Sequence, residues 1–139
     1  VTDPYDLQRF VDAQAGGTYE RALAELRAGR KTSHWMWFVF PQVAGLGRSE
    51  MAVRYAISGL DEAQAYGTHP LLDQRYVECC EALVDLGDVQ MADVLGDVDA
   101  QKLRSSLTLF AEASPSPQAE ALLDRHFSGE RDPATLRLL

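Results

Sequence analysis

The chain has 139 residues, 46% of them hydrophobic and 24% charged, with a formal net charge of -8. That length holds one real core and predicts a single domain over residues 1–139; no apolar run approaches the ~18 residues of a membrane-spanning helix, and the acidic, polar start does not resemble a signal peptide. Residues 1–54 carry seven Lys and Arg against six Asp and Glu, and residues 55–139 carry six against fifteen, which argues against nucleic acid as a partner and leaves a cationic site to the first half.

Helix signals recur along the chain and strand alternation is nearly absent. Asp3-Pro4 predicts an N-cap and first-turn proline for a helix whose apolar face is Leu7, Phe10 and Val11, ended by Gly16-Gly17. Thr18 predicts the cap of a second helix, with Tyr19, Ala22, Leu23 and Leu26 inward and Gly29 as its stop. Trp35 to Phe40 then form six consecutive large apolar residues, too few to cross a membrane and too apolar to face water. Trp35, Trp37, Phe38 and Phe40 are therefore expected to be mostly buried, either at the centre of the fold or lining a pocket. Periodicity leaves Trp35–Val39 open between a helical turn and a short strand, while Phe40, preceding Pro41, is expected to be extended.

Gly45-Leu46-Gly47-Arg48-Ser49 predicts a loop leading into a helix that carries Met51, Val53, Tyr55, Ala56 and Ile57. A short helix over 61–66 follows. His69-Pro70 opens what is expected to be the longest helix, with Leu72, Tyr76, Cys79, Leu83 and Leu86 inward and Gly87 closing it. Asp99 is expected to cap a helix with Leu103, Leu107 and Phe110 on one side, and Pro117 and Asp132-Pro133 start the last two. The fold class predicted is all-α, a compact bundle of about six to eight short helices.

His34, His69 and His126 are widely separated and belong to no zinc-type spacing, so no metal and no cofactor is expected. Adjacent Cα atoms lie ~3.8 Å apart and a disulfide wants ~5.5 Å, so Cys79 and Cys80 are expected to be free thiols in a cytoplasmic protein. Glu78 and Glu81 disfavour a thiolate at Cys80, and Cys79 falls on an apolar face, so neither suits nucleophilic catalysis. Ser105, Ser106 and Thr108 are read as helix hydroxyls bonded one turn back or allowing close helix approach.

The sharpest candidate is an anion site. Gly45 and Gly47 allow close backbone approach, Ser49 begins a helix, and Lys31, His34, Arg48 and Arg54 supply charge nearby in sequence. Trp35 and Trp37 can stack a ring, and Gln42 ends the aromatic run. A phosphate- or nucleotide-like metabolite would suit these residues. A Gly-rich turn with Ser49 as an ordinary N-cap explains the same loop. Two further functions stay open: an interaction module with the aromatic block as core or docking surface, and a hydrolase on a nucleotide-like substrate with His34 as general acid or base.

Ser33–Gln42 together with Gly45-Leu46-Gly47, Ser49 and Tyr55-Ala56-Ile57 resembles the signature of the bacterial domain-of-unknown-function 1810 family. Lys102-Leu103, Ser105-Ser106 and Thr108-Leu109-Phe110 resemble its second signature. The resemblance runs from Asp6 to the C-terminus, with departures at Gly67, Asp73 and Leu107. It implies a compact, mostly helical domain and no established activity. Some members carry the label calpastatin, but nothing in this chain resembles a disordered protease-inhibitor repeat.

Overall fold

Helix follows helix along the computed structural model, which describes residues 2–139. The first five are α1 (Gln8–Gln14), α2 (Thr18–Ala28), α3 (Met36–Val39), α4 (Glu50–Arg54) and α5 (Leu60–Thr68). They are followed by α6 (Pro70–Asp85), α7 (Met91–Leu95), α8 (Asp97–Ala113), α9 (Pro117–His126) and α10 (Pro133–Arg137). Six of the ten have seven or more residues, and no strand occurs among the described residues. The all-α bundle expected from the sequence is the fold observed. Its extended pairing is an isolated parallel bridge between Val43 and Ile57.

Local chemistry explains several helix starts. Pro stands in the first turn of α6, α9 and α10, and His69, Ser116 and Asp132 each accept a backbone N–H through the side chain. Two starts differ from expectation. Pro4 opens no helix, because Asp6 takes a left-handed φ of 52° and α1 begins only at Gln8. The Asp3 carboxylate instead reaches forward to the amides of Leu7 and Gln8, at 2.8 and 2.9 Å. Thr18 is the first residue of α2 and not its cap; that place belongs to Gly17 at φ 88°.

Further differences concern extent. Helix α8, with 17 residues, is longer than α6, with 16. It begins at Asp97, so Asp99 lies inside its first turn and serves as an ion-pair partner instead of a cap. Helix α4 stops at Arg54, because Ile57 leaves it to donate to the Gln42 carbonyl at 2.8 Å. The Trp35–Val39 ambiguity resolves as the helical turn α3.

Helix α8 packs against α5, α7, α9 and α10, and every residue from Ser105 to Ala111 is buried. A helix buried on all sides needs its polar atoms satisfied internally. Ser106 Oγ accordingly meets the Tyr76 hydroxyl at 3.0 Å, and Thr108 donates to the Arg104 carbonyl at 2.8 Å. Aromatic rings link the elements through the core: Phe10 to Tyr66, Tyr66 and Tyr76 to Phe110, and Phe40 to Tyr76, with centroids 4.6–5.5 Å apart. Trp35, Phe38 and Phe40 are buried as expected, but Trp37 is only half-buried, because α3 is one turn long and turns that ring toward the 42–52 loop.

Candidate functional site

The segment made of the aromatic run and the loop after it is held at both ends. At its start, Glu25 of α2 acts as a hub. One carboxylate oxygen accepts the Thr32 amide at 2.7 Å, the Ser33 amide at 3.0 Å and the Trp35 indole N–H at 3.0 Å. The other accepts the Ser33 hydroxyl at 2.6 Å. Burial acts to raise the Glu25 carboxyl, but these donors outweigh it and hold it at about 2. At the far end, the Ala44 and Ile57 amides close the bridge, and Arg9 donates to the carbonyls of Arg54 and Ala56 while pairing with buried Glu62 at 2.8 Å. Residues 42–57 thus form a short, clamped excursion over the bundle.

Two recesses open beside it. A recess of about 20 Å³ lies among Trp37, Gln42, Gly45, Gly47 and Tyr55, room for one water. A larger cleft of about 420 Å³ has Gln42, Leu46, Gly47 and Ala52 on one wall. The opposite wall comes from Val98, Gln101, Lys102 and Ser105 of α8 with Asp132 and Ala134 at α10. That volume is in the ~300–1,000 Å³ range of small-molecule sites, and the walls are apolar with a few convergent polar groups, as such sites require.

Asp132 is the most constrained of those groups, being 5% exposed. Its Oδ2 accepts the Ser105 hydroxyl at 2.7 Å, the Thr135 hydroxyl at 2.6 Å and the Thr135 amide at 3.3 Å. Burial would raise this carboxyl, but the hydroxyl and amide donors hold it below the usual carboxylate range. The Asp132 amide donates to Thr108 at 2.9 Å, and Arg104 donates to the Glu130 and Arg131 carbonyls. Arg104, Ser105 and Thr108 of α8 therefore fasten residues 130–132, which explains why a polar group recurs along that buried helix. Beside them, Asp99 sits between Lys31, at 3.0 Å, and Lys102, at 3.6 Å. Of this cluster Lys102 lines the cleft, opposite in charge to Asp132. Lys102 Nζ also lies 5.5 Å from the Trp37 ring centroid.

The residues singled out in the sequence fall into three groups. Trp37, Gln42, Gly45 and Gly47 line the small recess, and Gln42 and Gly47 also line the cleft. Ser49 caps α4 by accepting the Ala52 amide at 3.1 Å, and Lys31 and Trp35 are joined, the Nζ lying 5.2 Å from the ring centroid. His34 and Arg48 are exposed and line neither space. Arg54 stacks on Tyr55 with its carbon 5.5 Å from the centroid and faces a separate recess with Asp6, Arg9 and Asp12. Lys102, Gln101 and Asp132 are charged or amide lining residues that sequence reasoning missed, together with apolar Leu46, Ala52, Val98 and Ala134 and the Ser105 hydroxyl. Lys102 was within reach, as the first residue of the second signature; nothing in local spacing joins Asp132 to Ser105, 27 residues away.

Among the described residues no group of three or more His, Cys, Asp or Glu could hold a metal ion, and no helix is long and apolar enough to cross a membrane.

The chain is similar to a solved structure, the conserved hypothetical protein Rv1873 from Mycobacterium tuberculosis. Identity is 49%, the match covers 99% of this chain and 98% of that one, and the TM-score is 0.95. No curated protein matches the chain. The family model described as a protein of unknown function, DUF1810, matches residues 4–139, and the chain belongs to that family.

Proposed function

We propose that the domain binds a small anionic metabolite in the cleft between the 42–52 loop and helices α8 and α10. The observation that carries this reading is that residues of both sequence signatures, Gln42, Leu46 and Gly47 of the first and Lys102 and Ser105 of the second, meet in one cleft. Lys102, which lines the cleft and shares Asp99 with Lys31, supports an anion at the edge, and Leu46, Ala52, Val98 and Ala134 favour an apolar or ring-shaped body. Binding is favoured over hydrolysis because the Ser105 hydroxyl is committed to Asp132 and no histidine lines the cleft to relay a proton. An interaction module would need a surface other than the aromatic block, which is largely core.

The test is a titration by calorimetry against phosphorylated and carboxylated metabolites. Val98 is 69% exposed, so Val98→Trp fills the cleft without disturbing the core. Binding by the wild type, its loss in V98W, and a ~10-fold weaker complex in Lys102→Met are expected. Equal binding by V98W and the wild type would place the ligand elsewhere.

A further inference from the structure

The cleft restricts the body of its occupant as well as its charge. Leu46, Ala52, Val98 and Ala134 present alkyl groups to it, and among its described lining residues there is no aromatic ring to stack a nucleobase. Val98 is 69% exposed, an apolar side chain left to water where an alkyl chain would cover it. The polar groups of the lining are mostly committed to one another. Asp132 takes the Ser105 and Thr135 hydroxyls on one oxygen and the Gln101 side-chain amide on the other. Lys102 Nζ and the Gln42 side-chain amide stand open to a ligand. They suffice for one carboxylate. The hydroxyls and base edges of a nucleotide would instead lose water against alkyl walls without gaining partners. Charge points the same way. Lys102 faces Asp132 in the lining and lies 3.6 Å from Asp99, so one lysine stands beside two carboxylates. It can balance a monoanion, whereas a phosphate monoester, with about 1.5 to 2 negative charges, would leave charge unbalanced against those carboxylates.

Resting on the cleft reading above, we infer that the occupant is an aliphatic monocarboxylate, its alkyl chain along Leu46, Ala52, Val98 and Ala134 and its carboxylate at Lys102. The alkyl walls then select the body, and the lysine selects one acid over a neutral or doubly charged head.

The experiment compares octanoate, hexanoate, octanamide and adenosine monophosphate on the whole chain by calorimetry. Octanoate is expected to bind about 10-fold more tightly than hexanoate, as two buried methylenes predict. It is expected to bind about 10-fold more tightly than octanamide, which has the same chain without the charge, and more tightly than adenosine monophosphate. Lys102→Met, checked for folding by circular dichroism, should bring octanoate and octanamide to within about twofold of each other, since it removes the charge that distinguishes them. Should K102M fail to fold, the wild-type comparisons still decide. Tighter binding of adenosine monophosphate than of octanoate, lost in V98W, would overturn the aliphatic class and leave the cleft reading intact. Equal affinity for octanoate and octanamide would overturn the carboxylate at Lys102, and equal affinity for octanoate and hexanoate would overturn the alkyl contact. Failure of every phosphorylated and carboxylated compound to bind, or binding that V98W leaves unchanged, would overturn the cleft reading and this inference with it.

Discussion

The Trp35 indole N–H donates to the Glu25 carboxylate at 3.0 Å across ten residues of chain. The same oxygen takes the Thr32 and Ser33 amides, so one α2 side chain aims the strand of backbone that enters the aromatic core. Glu25→Ala strands those donors and is expected to cost about 2–4 kcal/mol of stability by urea unfolding, with Trp35→Phe costing about 1. A double-mutant cycle of the two should show coupling, since they share one bond.

The same carboxylate gives a pH dependence. Its folded value of about 2 lies below the ordinary value of 4.5. A depressed carboxyl stabilises the fold fully above its unfolded value, and that contribution is lost as pH falls from the ordinary value toward the folded one. Stability of the wild type should therefore decline from about pH 5 down toward about pH 2, and Glu25→Gln should flatten part of that decline. An identical pH profile for E25Q would show that other carboxylates carry it.

The two tryptophans and their neighbours should differ in cost. Phe40, fully buried, is expected to lose about 3–5 kcal/mol as Phe40→Ala. Trp37, half-buried beside the small recess, should lose only about 1–2 as Trp37→Ala. Chemical unfolding of the two variants side by side checks the order.

Gly47 faces Ala52 so closely that an added Cβ would stand 2.6 Å from the Ala52 Cβ. Gly47→Ala should push the loop off α4 at a cost of about 1–3 kcal/mol, as overpacking does. Ala52→Gly in the same chain should recover part of it. The melting temperatures of the two single variants and the double variant test this.

Cys79 and Cys80 should resist alkylation in the folded protein and react on unfolding. Both are fully buried, and burial pushes the Cys79 thiol up to about 12 and Cys80 well above its usual value. A thiol reagent that labels either at the unfolded rate would show that α6 opens locally.

The family resemblance and the all-α architecture were legible in the sequence because their signals are local. Leu72, Tyr76, Cys79 and Leu83 repeat with the helix period and are all buried; Pro70, Pro117 and Pro133 begin helices because a first-turn proline lacks only an N–H that the helix would not use. Local signals failed where a backbone conformation intervened, as at Asp6, or where a distant partner outbid the helix, as when Ile57 paired with Gln42 and Val43. The cleft belongs to tertiary structure alone. Lys31 meets Asp99 and Ser105 meets Asp132 through pairings whose members lie on separate elements. Periodicity says which face of a helix is apolar, but not which carboxylate will arrive against it, since that depends on how the helices dock. Arg54 shows the converse: five residues beyond Ser49 in sequence, its side chain faces Tyr55, Asp6 and Asp12 once α4 packs. The charges that edge the cleft were decided by helix packing, which brings Lys102 to it and turns Arg54 away.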